Sequence, residues 1–353
     1  MKSFLKKIIT DEARGPFVAL LKGVLFALSM LFRLLVALRN RLLACKVLSQ
    51  KKCGVPVISV GNVTLGGVGK TPLVSFIAKK ILAQGKKPVV LMRGYMDQTS
   101  KRCAENVASD EALMLKEQSG VDVVVGADRV AQANAYLSAQ SCDVFLLDDG
   151  FQHRQCARDL DIVVIDASNP WGNGHLLPRG ILREPPSALK RADVIVLSKT
   201  EGVRALDELK AQIKKLNPAS LMAEMTHRFK SLVNLREGAS VDPKQLEGKI
   251  LCSFCSIAHP ASFVRTLSDI KLKPVKNFAF MDHYVYVGRD IEALNQFCCE
   301  NNVDVLMTTQ KDAVKLGEFL NDFSDTLLVC VLNIELQFLS GEDLFLERIN
   351  SVL

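Results

Sequence analysis

Several features that are absent from this sequence narrow its class. It has no low-complexity or strongly polar tract, and 48% of its 353 residues are apolar, so an intrinsically disordered chain is excluded. No secretory signal with a cleavage site is recognisable, so we expect the ten cysteines to be reduced and mostly buried thiols. Cys252-Ser-Phe-Cys255 has no second C-x-x-C pair, which disfavours a metal or redox centre.

The chain also lacks an uninterrupted apolar run of the ~20 residues that a membrane-spanning helix needs. Its most apolar segment contains Lys22 and Arg33 with only ten residues between them. On a helix these cations and Ser29 lie within about 20° of one another, as one polar stripe on an apolar cylinder. We expect residues 1–48 to be an amphipathic helical segment at a membrane interface, its cations near anionic headgroups. A helix packed on the protein's own core is the alternative, and a true span is the least favoured.

A glycine-rich stretch from Val55 to Pro72 reads as a buried strand, a turn and the start of a helix. This is the context of a phosphate-binding P-loop, in which backbone N–H groups and the positive end of a helix dipole face a phosphate. Lys70 is expected to reach the β- and γ-phosphates and to act in catalysis, and the Thr71 hydroxyl is expected to bind Mg²⁺. The alternative is an ordinary strand–turn–helix junction that is rich in glycine.

One position departs from the standard P-loop pattern. Thr64 stands where the first glycine falls, but Gly66 and Gly67 can supply the lost backbone flexibility. The predicted nucleotide-binding residues are Thr64, Leu65, Gly66, Gly67, Val68, Gly69, Lys70, Thr71 and Pro72.

A second phosphate-site motif is a hydrophobic strand that ends in Asp148 and Asp149. This is the Walker B pattern, in which a carboxylate meets the Mg²⁺ held by the P-loop threonine. Adjacent aspartates seldom serve packing, because like charges repel. We predict a metal site made of Thr71, Asp148 and Asp149, with one carboxylate acting through water and Glu184 as a possible third oxygen ligand.

Other apolar stretches, near residues 87–92, 121–125, 160–166 and 192–198, read as further buried strands separated by helical patterns. This alternation predicts a doubly wound parallel sheet with ligands at the carboxyl ends of its strands. The loop from Asn173 to Pro186 is broken by glycine and proline and suits the rim of an active site. Ser198-Lys199-Thr200-Glu201 differs from the guanine-reading N-K-x-D pattern at two of its three fixed positions, so no guanine site is predicted.

The length of the chain allows two domains, at ~100–200 residues each. We predict a P-loop α/β domain over 49–220, an extended linker over 221–248 and a smaller α/β domain over 249–353. The second domain carries Met281-Asp282-His283-Tyr284 at a strand end and a Lys311-Asp312 pair. The net charge of +7 favours anionic partners such as phosphates or a membrane surface.

Together these motifs resemble one family, the tetraacyldisaccharide 4′-kinases, which are membrane-associated lipid A kinases of Gram-negative bacteria. The resemblance runs from the apolar N-terminal helix to the residues around Lys311. Its most specific parts are Val60 to Pro72, Arg93-Gly-Tyr95, Asp148 to His153, Arg183-Glu184 and Asp282-His-Tyr284. The family's Gly-Asp-Glu-Pro motif is matched in part, since Ser109-Asp110-Glu111-Ala112 keeps only the two acids.

The resemblance implies ATP- and Mg²⁺-dependent phosphorylation of the 4′-hydroxyl of a tetraacylated glucosamine disaccharide 1-phosphate. The reaction would take place at the cytoplasmic face of the bacterial inner membrane, with a lipid substrate, a membrane surface and no nucleic acid as partners. It makes Asp110 and His283 the catalytic base pair, although from spacing alone Asp110 could simply cap a helix. Arg93, Arg179 and Arg183 are candidate cations for the acceptor's 1-phosphate or the transferring phosphoryl group.

The competing interpretation is a P-loop switch ATPase or GTPase of the partitioning or metallochaperone kind, without a small-molecule acceptor. Such proteins typically place a signature lysine where this chain has Leu65, and they lack a second domain with an Asp-His-Tyr motif.

Overall fold

The computed structural model describes residues 7–93, 110–282 and 284–353, which divide into two compact units. The first unit contains the described residues up to 93, Ser119–Thr226 and Phe338–Leu353. The second contains residues 110–118 and His227–Gln337. The C-terminal segment from Phe338 therefore belongs to the first unit, unlike the division at residue 249 that was predicted from the sequence.

The first unit alternates strands and helices along most of its length. Its elements in chain order are α1 (Pro16–Ala44), β1 (Val57–Gly61), α2 (Lys70–Leu82), β2 (Pro88–Met92), β3 (Asp122–Val125), α4 (Arg129–Ala139), β4 (Val144–Asp148), β5 (Leu160–Asp166), β6 (Val194–Ser198), α5 (Leu206–Leu216) and the first part of β7 (Leu221–Asn234). Helix α9 (Glu342–Asn350) closes the unit, whereas α3 (Asp110–Ser119), which precedes β3 in the chain, belongs to the second unit except for its last residue.

Seven strands of this unit pair in parallel, in the spatial order β7-β6-β5-β1-β4-β2-β3. Strands β1, β2, β4, β5 and β6 are buried along their whole length, as expected for a sheet covered on both faces. After β1 the chain places β2, β3 and β4 on one side of that strand and then β5, β6 and β7 on its other side, so the strand order reverses at β1. Ligands of such sheets bind at this reversal, beyond the carboxyl ends of the strands, and the P-loop follows β1.

Helix α1 presents its apolar side to the surface and part of its polar stripe to the protein. Lys22 forms an ion pair with Asp11 at 2.7 Å. Ser29 is fully buried, and its hydroxyl donates to the Leu176 carbonyl at 2.7 Å and accepts the Arg179 N–H. Lys22 therefore has a carboxylate partner within the chain, and the location of the stripe cations near headgroups stays a prediction.

The outward side of α1 is a continuous apolar surface. By length and composition this helix could cross a membrane, which is compatible with membrane association. Its nine large apolar side chains that are 45–70% exposed are Phe17, Leu20, Val24, Phe26, Leu28, Leu31, Leu34, Leu35 and Leu38.

The second unit is a smaller α/β assembly. Its main elements are the second part of β7, β8 (Ser240–Val241), β9 (Leu251–Cys255), α6 (Pro260–Asp269), β10 (Lys276–Ala279), α7 (Gly288–Glu300), β11 (Val305–Thr309), α8 (Gln310–Ala313) and β12 (Leu328–Ser340). Strands β10, β9, β11 and β12 pair in that order, all parallel. Two clusters of buried side chains form its core.

Two smaller predictions have clear outcomes. The first half of the segment expected to be an extended linker is strand β7, and β8 pairs antiparallel to it. The nine described cysteines are free thiols, and seven of them are buried, which confirms the expectation for this part of the chain.

Candidate active site

The P-loop lies between the end of β1 and the start of α2. Gly66 and Gly69 have φ angles of 117° and 94°, which L side chains rarely adopt. Gly61 ends β1 where a Cβ would lie 2.5 Å from Phe151, so only glycine allows this approach. Gly69 is the N-cap of α2 and has no side chain to cover the first N–H groups of the helix. The turn can therefore present backbone donors to an anion.

Lys70, the first residue of α2, extends toward the acidic end of β4. Its ammonium donates to Asn62 Oδ1 at 3.2 Å and lies 3.4 Å from an Asp149 carboxylate oxygen. Asn62 in turn donates to the Thr64 carbonyl at 2.7 Å. These contacts fix the lysine side chain across the mouth of the P-loop.

Asp149 brings two cations together. Its carboxylate accepts two hydrogen bonds from Arg183, at 2.9 and 2.8 Å, besides its ion pair with Lys70. Burial alone would raise the pKa of Asp149, but the charges of Lys70 and Arg183 outweigh it and hold that pKa below its ordinary value. A negative carboxylate therefore positions two positive side chains beside the P-loop.

Asp148 faces the other P-loop side chain. The Thr71 hydroxyl donates to Asp148 Oδ2 at 2.9 Å, and Arg129 donates to the Asp148 carbonyl at 3.0 Å. A hydroxyl and a carboxylate at this spacing are hard oxygen donors of the kind that Mg²⁺ prefers, with water and phosphate oxygens completing its shell. Among the described residues no group of three or more His, Cys, Asp or Glu side chains could hold a metal alone.

Two predicted site residues have other partners in the structure. The Glu184 carboxylate is fully buried and contacts Arg191 at 3.1 Å and Asn40 of α1 at 3.1 Å. Arg179 is 7% exposed and pairs with Asp11 at 2.6 Å. These buried pairings weigh against a metal role for Glu184 and an acceptor role for Arg179, because each side chain already contacts an opposite charge within the protein.

The structure describes the remaining predicted site residues only in part. Arg93 is exposed directly after β2. Asp110 is the first residue of α3, but its side chain lies outside what the structure describes, as does the whole of His283.

The chain on both sides of position 283 is nevertheless anchored by described contacts. Lys311 pairs with Asp282 at 2.9 Å, and Lys315 donates to the Tyr284 carbonyl at 3.1 Å. The Tyr286 hydroxyl donates to the fully buried Asp312 at 3.0 Å.

Three residues that contact the site were not singled out from the sequence. Asn62 follows β1, Arg129 is 3% exposed at the start of α4, and Lys199 donates to the Gly67 carbonyl of the P-loop at 3.1 Å. Asn62 lies within the Val60–Pro72 motif but was given no role of its own, and Arg129 has no local pattern that marks it. Lys199 lies in the segment that was set aside because it matches N-K-x-D poorly.

His153, just beyond the acidic motif, is expected to make the stability of the protein depend on pH. Its Nε2 is buried without a hydrogen-bond partner among the described residues. Burial first, then the charges of Arg129 and Arg158, lower its pKa from 6.5 to about 4. Between these two values the unfolded chain protonates the histidine while the folded chain keeps it neutral, so stability falls as the pH is lowered through this window. His153→Gln should lose less thermal stability than the wild type between pH 7 and pH 5 in matched melts, and equal losses would contradict the assignment.

This geometry places the chain among the P-loop proteins, which bind a nucleoside triphosphate through the glycine turn and a metal through the threonine and aspartate. The chain belongs to the tetraacyldisaccharide-1-P 4′-kinase family, whose sequence profile matches residues 21–353. It is 36% identical to the tetraacyldisaccharide 4′-kinase of Anaeromyxobacter sp. (strain Fw109-5), over 99% of this chain and 97% of that protein. It is 34% identical to the one of Halothermothrix orenii, over 98% and 96%.

The fold is also similar to that of a solved relative. LpxK of Aquifex aeolicus, crystallised in complex with ATP, aligns with a TM-score of 0.72 and 28% identity, over 94% of this chain and 99% of that one. These findings confirm the predicted family and the P-loop α/β fold. They do not favour the switch ATPase or GTPase interpretation.

Proposed function

We propose that this protein is an ATP-dependent kinase that phosphorylates the 4′-hydroxyl of a tetraacylated glucosamine disaccharide 1-phosphate, with Mg²⁺ as its metal. The observation that carries the proposal is the arrangement of Lys70, Arg183 and Asp149 beside the P-loop. Phosphoryl transfer requires that charge on the γ-phosphate be neutralised by fixed cations. The names of the relatives supply the acceptor, and the ATP complex of the Aquifex aeolicus protein supports the donor.

Within this site we assign the metal to Thr71 and Asp148, whose oxygens lie 2.9 Å apart. Mg²⁺ held there would neutralise phosphate charge when the nucleotide is bound. Asp149 takes a different role, because its oxygens already accept from Arg183 and contact Lys70. It acts by orienting those two cations toward the nucleotide.

We propose that the acceptor enters at one end of α1. A cavity of about 530 Å³ lies there, and its lining includes three cations and one carboxylate beside apolar side chains: Arg39, Lys51, Arg154, Asp128, Leu43 and Leu48. Small-molecule sites are commonly of this size and combine apolar walls with a few charged groups. A phosphorylated lipid headgroup fits both features, and its acyl chains could continue along the apolar surface of α1.

The direct test is transfer of ³²P from ATP with purified full-length protein. Label should appear on the tetraacyl disaccharide 1-phosphate presented in detergent micelles. Release of phosphate to water at the same rate with and without lipid would instead support a switch ATPase. Omitting Mg²⁺ provides the control for the metal.

We further propose Asp110 and His283 as the pair that accepts the proton of the sugar hydroxyl, because a hydroxyl is a poor nucleophile at neutral pH. Asp110→Ala and His283→Ala should each lower turnover by about a hundredfold or more and leave ATP affinity nearly unchanged. The double variant should lose little more than either single one, since two residues that act as a unit give non-additive losses. Additive losses in turnover, or a lowered melting temperature alone, would show that they do not work together.

We also propose that the apolar side of α1 binds the cytoplasmic face of the inner membrane. The triple variant Leu20→Gln, Leu34→Gln and Leu38→Gln replaces three side chains that are 55–69% exposed, so the fold should persist. Each exposed leucine transferred into lipid contributes ~1.5–3 kcal/mol. Binding to anionic phospholipid vesicles in flotation assays should therefore fall strongly.

A matched control for this experiment is Leu344→Gln on α9, where the leucine is 56% exposed. This variant should float with vesicles like the wild type. If the triple variant also floats normally, α1 is not the membrane-binding surface.

A further inference from the structure

The outer side of the P-loop is held by residues from the ends of β5 and β6. Lys199 directly follows β6, and its ammonium donates both to the Gly67 carbonyl at 3.1 Å and to the Asp166 carboxylate at 2.5 Å. Asp166 is the last residue of β5 and pairs in register with Ser198, the last residue of β6. The lysine therefore connects the P-loop to the carboxyl edge of the sheet.

A second hydrogen bond acts on the next peptide of the loop. The Ser198 hydroxyl, which is fully buried, donates to the Val68 carbonyl at 2.8 Å. Two consecutive P-loop carbonyls, those of Gly67 and Val68, are thus held from the same side by neighbouring residues of the chain.

The planarity of the peptide bond gives these contacts a consequence for phosphate binding. In a trans peptide the C=O of one residue and the N–H of the next point in opposite directions. Holding the carbonyls of Gly67 and Val68 toward β6 therefore aims the N–H groups of Val68 and Gly69 away from it. A P-loop binds phosphate with such N–H groups.

The local backbone and the electrostatics support a functional role for this arrangement. Lys199 has a φ angle of 54°, a left-handed conformation that is uncommon for a residue other than glycine and persists where the surroundings impose it. Burial would raise the pKa of Asp166, but hydrogen bonds from Lys199 and Ser168 outweigh it and hold the pKa below its ordinary value. The lysine thus has a stable anionic partner, and the pair adds little net charge.

We propose that Lys199, oriented by Asp166 and assisted by Ser198, is a positioning residue that keeps the P-loop N–H groups directed at the phosphates of the bound nucleotide. It acts through the loop backbone. The inference rests on the proposed function only in taking ATP or ADP as the nucleotide. It gives the segment Ser198–Thr200 a role that does not depend on reading a guanine base.

The test is Lys199→Met in the full-length protein, which removes the ammonium and keeps much of the side-chain volume. The KM for ATP should rise by about tenfold, the loss expected for a hydrogen bond from a charged group, while kcat at saturating ATP stays within about threefold of the wild type. The stabilisation by ADP in thermal melts should decrease in parallel. Lys199→Arg should recover part of the affinity, because it restores a charged donor.

Two further variants separate positioning from other effects. Lys210→Met removes a lysine that pairs with Glu224 at 2.7 Å in the same unit, and its KM for ATP should match the wild type. The double variant Lys199→Met with Asp166→Asn also removes the carboxylate that has lost its lysine partner. Its KM for ATP should stay as high as in Lys199→Met if the geometry of the loop determines ATP binding. Ser198→Ala should weaken ADP binding independently, which keeps the test valid if Lys199→Met folds poorly.

Two results would overturn the inference: a KM for ATP within about twofold of the wild type in Lys199→Met, or full recovery in the double variant. Full recovery in the double variant would mean that ATP binding depends on the net charge of the Lys199–Asp166 pair and not on the position of the loop. If the wild-type protein transfers no phosphate to lipid, the proposed function fails, but the ADP melts still decide the role of Lys199.

Discussion

Lys70→Ala is expected to lower turnover by about 10²–10³ at saturating ATP, while the protein stays folded. The ammonium lies 3.4 Å from Asp149 and 3.2 Å from Asn62, so it is held in place before the nucleotide arrives. A fixed cation stabilises the charge that develops on the transferring phosphoryl group without having to reorganise during the reaction. The measurement is the initial rate of ³²P transfer with ATP and lipid both saturating, together with a thermal melt.

A lysine on the same helix provides the matched control for this prediction. Lys80 forms an exposed ion pair with Glu342 at 3.1 Å, and such pairs contribute at most about 1 kcal/mol to stability. Lys80→Ala should therefore keep near-normal turnover. If Lys70→Ala also keeps it, the P-loop assignment does not hold.

The nucleotide-binding fold could be predicted because its signals are local. Strand β1, the glycine turn and helix α2 occupy one continuous stretch, and their patterning does not depend on any distant residue. The buried strands follow from short apolar runs that alternate with helical patterns. Asp148 and Asp149 were recognisable because they end such a run. The sequence could not show which of the two binds the metal and which orients the cations, since both are aspartates at adjacent positions.

The contacts that were mispredicted or missed join residues far apart in the chain. Ser29 meets the Leu176 carbonyl across 147 positions, and Lys199 meets Gly67 across 132. Helical periodicity correctly grouped Lys22 with Ser29, but it cannot say whether that stripe faces water, lipid or protein.

Arg179 and Arg183 illustrate the same limit within one loop. They are four residues apart and have the same chemistry, yet one pairs with Asp11 and the other with Asp149. Only the path of the loop decides which arginine reaches the phosphate site.

Asp148→Asn should abolish the Mg²⁺-dependent part of nucleotide binding and lower turnover by about 10³, because a neutral amide removes the charge that attracts the metal. The Thr71 hydroxyl lies 2.9 Å from this carboxylate, so Thr71→Ala should give a similar loss and Thr71→Ser should recover most of it. Thermal melts with ATP, in Mg²⁺ and in EDTA, separate metal-dependent from metal-independent binding. The control is Asp143→Asn, which precedes the same strand at its opposite end and accepts the Lys87 N–H. Retained Mg²⁺ dependence in Asp148→Asn would place the metal on other residues, with Asp149→Asn as the next variant to measure.

Asp149→Asn should instead keep Mg²⁺ binding and lose turnover, because it releases Lys70 and Arg183 from the carboxylate that orients them.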